Sequence, residues 1–534
     1  MARKKKKFKN HLYYGDNLDV LRRYITNESI DLIYLDPPFK SGQDYNILFS
    51  EQNGSKSTAQ IKAFDDTWNW NEDSMRQFNE TLNYGNKISE MMQSFWEILG
   101  PSDMMAYLSM MTPRLLELHR TLKTQGSIFL HCDPTASHYL KIVLDNVFGT
   151  MCFRNEIVWK RTTSSSSKSV ARRLGSNHDI IFWYTKSDLF QFYNIYLPYP
   201  EKEIKKRFKR CDERGYFKDA ELATYSDGKL DQLKKENKLI ITPSGRLRYK
   251  IYLEEIKGIP LDDVWIDVPP INSMAKERLG YPTQKPLKLL KRILNLSSRE
   301  NDVILDPFCG CGTAIEAAES LGRNWIGIDV TYAATNLIKY RLNKTFSKVD
   351  FGITGEPTTL SEANNLAKTD PYQFQWWALG LVKARPVEEK KGADSGIDGK
   401  LPFRDEGPKI AKVKQVIISV KAGKVGVSHL RDLRGVLDRE KAEIGVLICM
   451  QEPTAAMRKE AATGGFYRSP WWNKEYPRLQ ILTIKELLEG RDIAKPPSFV
   501  DTTFERPAML HPQRKFSGKK VKNQQELFES ADEQ

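Results

Sequence analysis

The 534-residue chain contains no run of about 18 apolar residues, so no membrane-spanning helix is expected. Its first ten residues, MARKKKKFKN, place no apolar stretch behind the basic run, which argues against a secretory signal. The six cysteines (Cys132, Cys152, Cys211, Cys309, Cys311 and Cys449) are scattered. None forms a CxxC pair and none has zinc-ligand spacing, so the reducing cytoplasm is the expected setting. Neither a GK(S/T) phosphate loop nor a Ser/His/Asp nucleophile spacing occurs, which removes two common chemistries from consideration.

What the chain does have is positive charge. Lysine and arginine number 82 against 68 acids, a formal charge of +14, with a pI near 9.2. An excess of this size suggests a polyanionic partner, nucleic acid above all, although solubility alone would also account for some of it. Residues 1–10 read as a basic arm able to grip phosphates or simply to stay solvated. The remaining composition, 40% hydrophobic and 28% charged, is that of a folded globular protein large enough for two to four domains.

Hydrophobic patterning divides the chain. Over residues 11–345, apolar strands such as GSIFLHCD (126–133), NEIVWKR (155–161) and DVILDPF (302–308) alternate with helical stretches. Among these are residues 103–123 and PLKLLKRILNLSS (286–298). Strands alternating with helices predict a parallel α/β sheet. Residues 40–75 read as a long loop with aromatics, and residues 187–260 lose the alternation and carry basic clusters. A linker is expected over 346–370, a smaller α/β unit over 371–495, and a disordered tail over 500–534.

Two strand ends stand out. In DLIYLDPPFK (31–40) a buried apolar run meets an acid, two prolines and an aromatic ring. Proline cannot donate a ladder hydrogen bond, so the strand stops there. In ILDPFCGCGTA (304–314) a strand runs into a glycine turn and a helix start, and Asp329 closes the next strand about 20 residues on. Gly310 and Gly312 would allow close approach of a ligand, as a plain tight turn would also require. Asp306 stands where a phosphate would otherwise come in. A carboxylate there suits a cationic ligand, favouring S-adenosylmethionine over a dinucleotide.

The two stretches together resemble the amino-group DNA methyltransferases, in the β-class order with DPPF (36–39) first and DPFCGCGT (306–313) last. GDNLDVL (15–21), NHDIIFWYTK (177–186), DDVW (262–265) and YPTQKP (281–286) match further landmarks of that family in order. The resemblance implies a Rossmann-like, S-adenosylmethionine-dependent methyltransferase sheet. It also implies that Asp36 and the Pro37 carbonyl accept the hydrogens of an exocyclic amine and free its lone pair to attack a methyl group. Pro38 would stiffen the turn and Phe39 would stack on the extruded base. Asp306, Phe308, Gly310, Gly312 and Asp329 would form the cofactor site. Asp16 would meet its adenine, and Thr283 and Lys285 its carboxylate end. Tyr281 stands where histidine is more usual in the family. An Asp at position 36 is typical of adenine-N6 members and a Ser of cytosine-N4 members, so adenine N6 is the expected target and cytosine N4 the alternative.

By the same resemblance, residues 187–260 would be the target-recognition region. KKGADSGIDGKLPF (390–403) followed by QVIISVKAG (415–423) resembles the Mrr-like branch of the PD-(D/E)xK nucleases. The resemblance makes Asp398 the metal acid, for Mg²⁺, and Lys421 the catalytic lysine. Ser419 replaces the usual acid or glutamine two positions before Lys421, which puts cleavage in doubt, and Asp394 would be a carboxylate able to compensate. QQELF, Gln524 to Phe528, resembles peptides that dock on the bacterial sliding clamp. The expected partners are therefore double-stranded DNA, the clamp and a second copy of the chain, with no membrane. The competing functions are a single-chain restriction-modification enzyme and a DNA-binding scaffold with a decayed methylase core.

Overall fold

The computed structural model describes residues 8–38, 45–48, 60–64, 70–85, 87–161, 176–222, 227–243, 245–272, 275, 277–279, 281, 283–387, 396–403, 405 and 414–497. Phe39, Asp394, the first seven residues and the Gln524–Phe528 peptide lie outside them.

The larger sheet is built from β1 (Asn10–Tyr14), β2 (Ile30–Leu35), β3 (Leu122–Cys132), β4 (Phe153–Lys160), β5 (His178–Thr185), β6 (Val264–Trp265), β7 (Val303–Asp306), β8 (Asn324–Asp329) and β9 (Phe351–Thr354). Its spatial order is β6-β4-β5-β3-β2-β7-β8-β1-β9. Every pairing is parallel except those of β5 with β3 and β4. β2 and β7 are buried at every position, as strands covered on both faces must be, and this is why they read as unbroken apolar runs. They lie side by side, Ile304 opposite Leu32 and Leu305 opposite Ile33. From β2 the chain moves outward to β3, and from β7 it moves the other way to β8. The connections thus diverge on either side of the β2–β7 line. Open α/β sheets bind ligands at such a switch point, beyond the carboxyl ends of the strands.

The helices that matter to this edge are α1 (Asn17–Tyr24), α2 (Asp103–Thr121), α3 (Leu287–Ser297), α4 (Thr313–Ser320) and α5 (Tyr332–Thr345). Residues 187–260 form a separate antiparallel plate in the order Leu239–Ile241, Leu247–Tyr252, Gly215–Glu221 and Arg210–Asp212. Several of its cations are already paired with acids: Lys250 with Asp212 at 2.7 Å, Arg248 with Asp219 at 2.5 Å and Arg214 with Glu254 at 2.6 Å. Within the expected loop at 40–75, Tyr45–Leu48 and Gln60–Phe64 pair as antiparallel strands.

The expected linker at 346–370 is structured. β9 is the edge strand of the large sheet, paired with β1, and Leu360–Thr369 is a helix with a Thr359/Glu362 capping box. A four-residue strand containing a glycine has too short an alternation to be recognised. The capping box was present in the sequence but sits among Thr, Asn and Pro, which read as linker.

The second unit has α6 (Pro371–Leu381), α7 (Val427–Glu440) and a five-stranded sheet of β10 (Arg385–Pro386), β11 (Gly399–Phe403), β12 (Lys414–Lys421), β13 (Ile444–Cys449) and β14 (Leu479–Thr483), in that order. It packs onto the first unit. Tyr332 of α5 joins Phe374, Trp377, Val416 and Leu482 in one buried cluster, and Tyr14 packs against it. The rings of Tyr14 and Tyr332 stack 3.6 Å apart.

Candidate active site

Parallel pairing brings the two strand ends noted in the sequence to one place. A cavity of about 290 Å³ at the carboxyl edge of β2, β7 and β8 is lined by Asp36, Pro37, Pro38, Asp306, Phe308, Gly310 and Asp329. Asp16, Thr283 and Lys285 line it as well. Ten of the residues singled out in the first unit therefore converge.

Gly312 does not line the cavity. Its φ of 73° is left-handed, and a Cβ there would come within 2.6 Å of Ile338 Cγ1. Gly312 serves helix packing at the start of α4, and the expectation of ligand approach there is corrected. Gly310, at φ 46°, does face the cavity, where a Cβ would meet the Tyr281 ring at 3.3 Å.

The carboxylates are held in different ways. Asp36 Oδ2 accepts from the Lys285 ammonium at 2.5 Å, across 249 positions of sequence. Asp36 Oδ1 is buried and has no hydrogen-bond partner among the described residues. Asp16 caps α1, accepting from Leu18 N–H, and its second oxygen takes Arg114 Nη2 at 2.6 Å. Arg114 also reaches Asn17, whose amide donates to the Pro307 carbonyl at 2.8 Å. This chain ties α1 and α2 to the turn after β7.

Asp329 accepts from Gly310 N–H at 2.8 Å and from both the N–H and the hydroxyl of Thr331 at 2.9 Å. Its carboxylate fixes the glycine turn as well as facing the cavity. Asp306 is 3% exposed and accepts one bond, from Phe308 N–H at 3.1 Å. Burial pushes both acids above the usual carboxylate range, and for Asp306 the nearby charges of Asp36 and Asp329 add to it. Among the described residues no salt bridge reaches either one. Four acidic residues thus line the cavity against two cationic ones, Arg114 and Lys285.

Among the lining residues that sequence reasoning missed are Arg114, Asn17 and Tyr34, while Tyr281 was noted without a role. Tyr34 was within reach, because it stands two residues before Asp36 and strands repeat every two residues. Arg114 gave a weaker signal, a single cation inside the apolar helix MMTPRLLEL.

In the second unit Asp398, Ser419 and Lys421 also meet, but as a closed set. Asp398 is 4% exposed. Its Oδ1 accepts from Gln375 at 2.9 Å, and its Oδ2 from Ser419 Oγ at 3.0 Å and Val420 N–H at 2.5 Å. Lys421 Nζ lies 3.6 Å away. Among the described residues no group of three His, Cys, Asp or Glu is arranged to hold a metal. A hard divalent ion needs several free oxygen ligands, so these residues do not fit a Mg²⁺ site.

Residues 381–489 match the family model described as NACHT-associated inactive Restriction Endonuclease 1. The type II methyltransferase M.EcaI of Enterobacter cloacae is 28% identical over 357 residues, 62% of this chain and 69% of that protein. The DNA adenine methyltransferase YhdJ of Escherichia coli is 24% identical, over 67% of this chain and 93% of its own. The Mod subunit of the type III restriction-modification enzyme StyLTI of Salmonella typhimurium is 25% identical, and the chain spans 49% of its length. Residues 30–339, more than half of the chain and the whole of the cavity's β2–β7–β8 edge, match the DNA methylase model N6_N4_Mtase, and the chain belongs to that family.

Proposed function

We propose that the chain transfers a methyl group from S-adenosylmethionine to an exocyclic amine of a base turned out of duplex DNA, with adenine N6 as the target. The observation that carries this reading is the state of Asp36. One oxygen is held by Lys285 and the other is a buried acceptor without a partner among the described residues, at the cavity wall. A buried acceptor left unsatisfied costs about 1–3 kcal/mol, and an N–H donor from a ligand would relieve it. An amine whose hydrogens are drawn to Asp36 and the Pro37 carbonyl becomes a better nucleophile.

The cofactor fits the charge of the site. When bound it supplies a methyl group on a positively charged sulfur. Asp306, buried, and Asp329, half-buried, both without cationic partners among the described residues, suit such a cation better than they would a phosphate. Gly310 gives backbone access, and Asp16 and Thr283 line the same wall. Adenine is favoured over cytosine by Asp at position 36, and the YhdJ likeness agrees with that choice. The plate at 210–252 is our choice for the surface that reads the target site.

We infer further that the second unit does not cut DNA, because every oxygen of Asp398 is already occupied by a protein donor.

One experiment separates these readings. The wild type, Asp36→Ala and Lys421→Ala are expressed in a methylation-free host, and modified nucleosides and plasmid nicking are measured. N6-methyladenine is expected in the wild type and in Lys421→Ala, and none in Asp36→Ala. N4-methylcytosine would overturn the base assignment, and the absence of any modified base would overturn the methyltransferase reading. Nicking lost only in Lys421→Ala would overturn the inference about cleavage.

A further inference from the structure

A methyl transfer to an amine leaves a proton to be removed, and Asp36 already has one oxygen held by Lys285. Beside it lies a buried set of groups that the reading above does not use. Tyr34 lines the cavity and is 2% exposed. Its hydroxyl lies 3.1 Å from His131 Nδ1, and His131 Nε2 lies 3.1 Å from Asp179 Oδ2. His131 is fully buried between them, and Arg161 Nε lies 3.2 Å from Asp179 Oδ1.

These contacts fix where the protons sit. Burial pushes His131 below its ordinary value, so the ring is neutral. Burial works against the Asp179 charge, but the His131 hydrogen bond and the cations Lys285 and Arg161 outweigh it and keep Asp179 ionised. A carboxylate only accepts, so His131 carries its proton on Nε2 and donates it to Asp179. Nδ1 is then an acceptor, and the Tyr34 hydroxyl must donate to it. The remaining lone pairs of Tyr34 are left for the cavity. Strand pairing holds the set: Tyr34 is on β2, His131 on the neighbouring β3 and Asp179 on β5 beyond it.

We propose that Tyr34, with His131 and Asp179 behind it, accepts the proton that the target amine loses. This rests on the methyltransferase reading above. The amine lone pair forms the new N–C bond as the C–S bond breaks, its electron pair staying on sulfur and cancelling the sulfonium charge. The nitrogen then holds the positive charge. It gives a proton to Tyr34 Oη while the original Tyr34 proton passes to His131 Nδ1. The charge ends on an imidazolium ring hydrogen-bonded to Asp179, and the chain has gained one proton. Tyr34 would touch the substrate, and His131 and Asp179 are positioning residues that act through it.

The test uses the full chain with Tyr34→Phe, His131→Gln and Asp179→Asn. Single-turnover methyl transfer is measured beside equilibrium binding of S-adenosylhomocysteine and of duplex DNA. Tyr34→Phe removes one oxygen, and glutamine at 131 can hydrogen-bond to both neighbours but cannot carry the proton. Each variant is expected to lose about 10²–10⁴-fold in rate, with both affinities within about twofold of wild type. The double variant Tyr34→Phe/Asp179→Asn should lose no more than the worse single one, as groups acting as a unit do. Nitrogen-15 spectra of labelled histidine should show His131 protonated at Nε2. A wild-type rate in Tyr34→Phe or in His131→Gln, or a proton on Nδ1, would overturn the proposal while leaving the methyltransferase reading intact. A wild-type chain that transfers no methyl group at all would overturn that reading instead.

Discussion

Lys285 Nζ sits 2.5 Å from Asp36 Oδ2, so the only cation from the 281–286 segment to reach the strand end grips the acid that the family motif places at the reacting centre. The resemblance alone put Lys285 at the carboxylate end of the cofactor. The contact adds a second role, which we propose: a clamp that would orient Asp36 and leave Oδ1 for the substrate.

Lys285→Met should therefore slow methyl transfer more than it weakens cofactor binding. Loss of one charge-assisted hydrogen bond, about 1.5–3 kcal/mol, corresponds to about 10–100-fold in rate. Single-turnover rates set against S-adenosylhomocysteine affinity check this. An unchanged rate with weakened binding would return Lys285 to the cofactor.

Asp306→Asn should trade function for stability. Burial holds the Asp306 carboxyl above its ordinary value, so the folded chain retains a proton there that the unfolded chain releases above about pH 4. The contribution of Asp306 to stability is thus full below that pH and declines as pH rises through the folded-state value. Asparagine carries no such penalty. Melting temperatures compared between pH 5 and pH 8 should show the variant gaining on the wild type as pH rises, while cofactor affinity falls about tenfold or more. A variant that melts lower at every pH and binds normally would contradict this.

Ser419→Glu should not restore cleavage. Gln375 and the Val420 N–H would still occupy Asp398, and a second buried carboxylate beside it would be repelled. The expected result is a melting temperature lowered by several degrees and no Mg²⁺-dependent plasmid nicking. Nicking by this variant would show that a single substitution separates the unit from an active nuclease.

Alkylation should single out Cys211. It is the exposed cysteine, whereas Cys132, Cys309, Cys311 and Cys449 are buried, and burial pushes the Cys449 thiol up to about 11. At pH 8 its thiolate fraction is then about a thousandth, and access is lacking as well. Mass mapping after brief treatment with iodoacetamide checks the order, and early labelling of Cys309 or Cys311 would indicate that the cavity opens wide in solution.

The sequence made the strand ends legible because their signals are local. An unbroken apolar run ended by Asp-Pro marks β2 and β7, and parallel pairing does the rest. Contacts set by the fold were not legible. Nothing near Lys285 announces Asp36, and nothing near Gln375 announces Asp398. Gly312 looked like a ligand glycine because it stands two residues from Gly310, which lines the cavity, yet what it must avoid is Ile338 on α5. His131 and Asp179 sit inside apolar strands, LHC and HDIIF, where one polar residue carries no periodic signal until the strands are placed side by side. The β9 edge strand was lost for the opposite reason, being too short to show any pattern.

The stacked pair Tyr14–Tyr332 carries a consequence for the whole chain. Tyr14 ends the strand that leads into Gly15 and Asp16, and Tyr332 opens the helix that follows Thr331, so each is the chain neighbour of a residue that lines the cavity. The same pair packs into the apolar cluster of the C-terminal sheet, and Gln373 of α6 accepts the Tyr332 N–H at 3.4 Å. Cutting the polypeptide between the two sheets would strip this wall of its backing. A nuclease-like lobe with its acid fully occupied thus acts as masonry behind the methyl-transfer chamber, and truncation there should cost the chamber its shape.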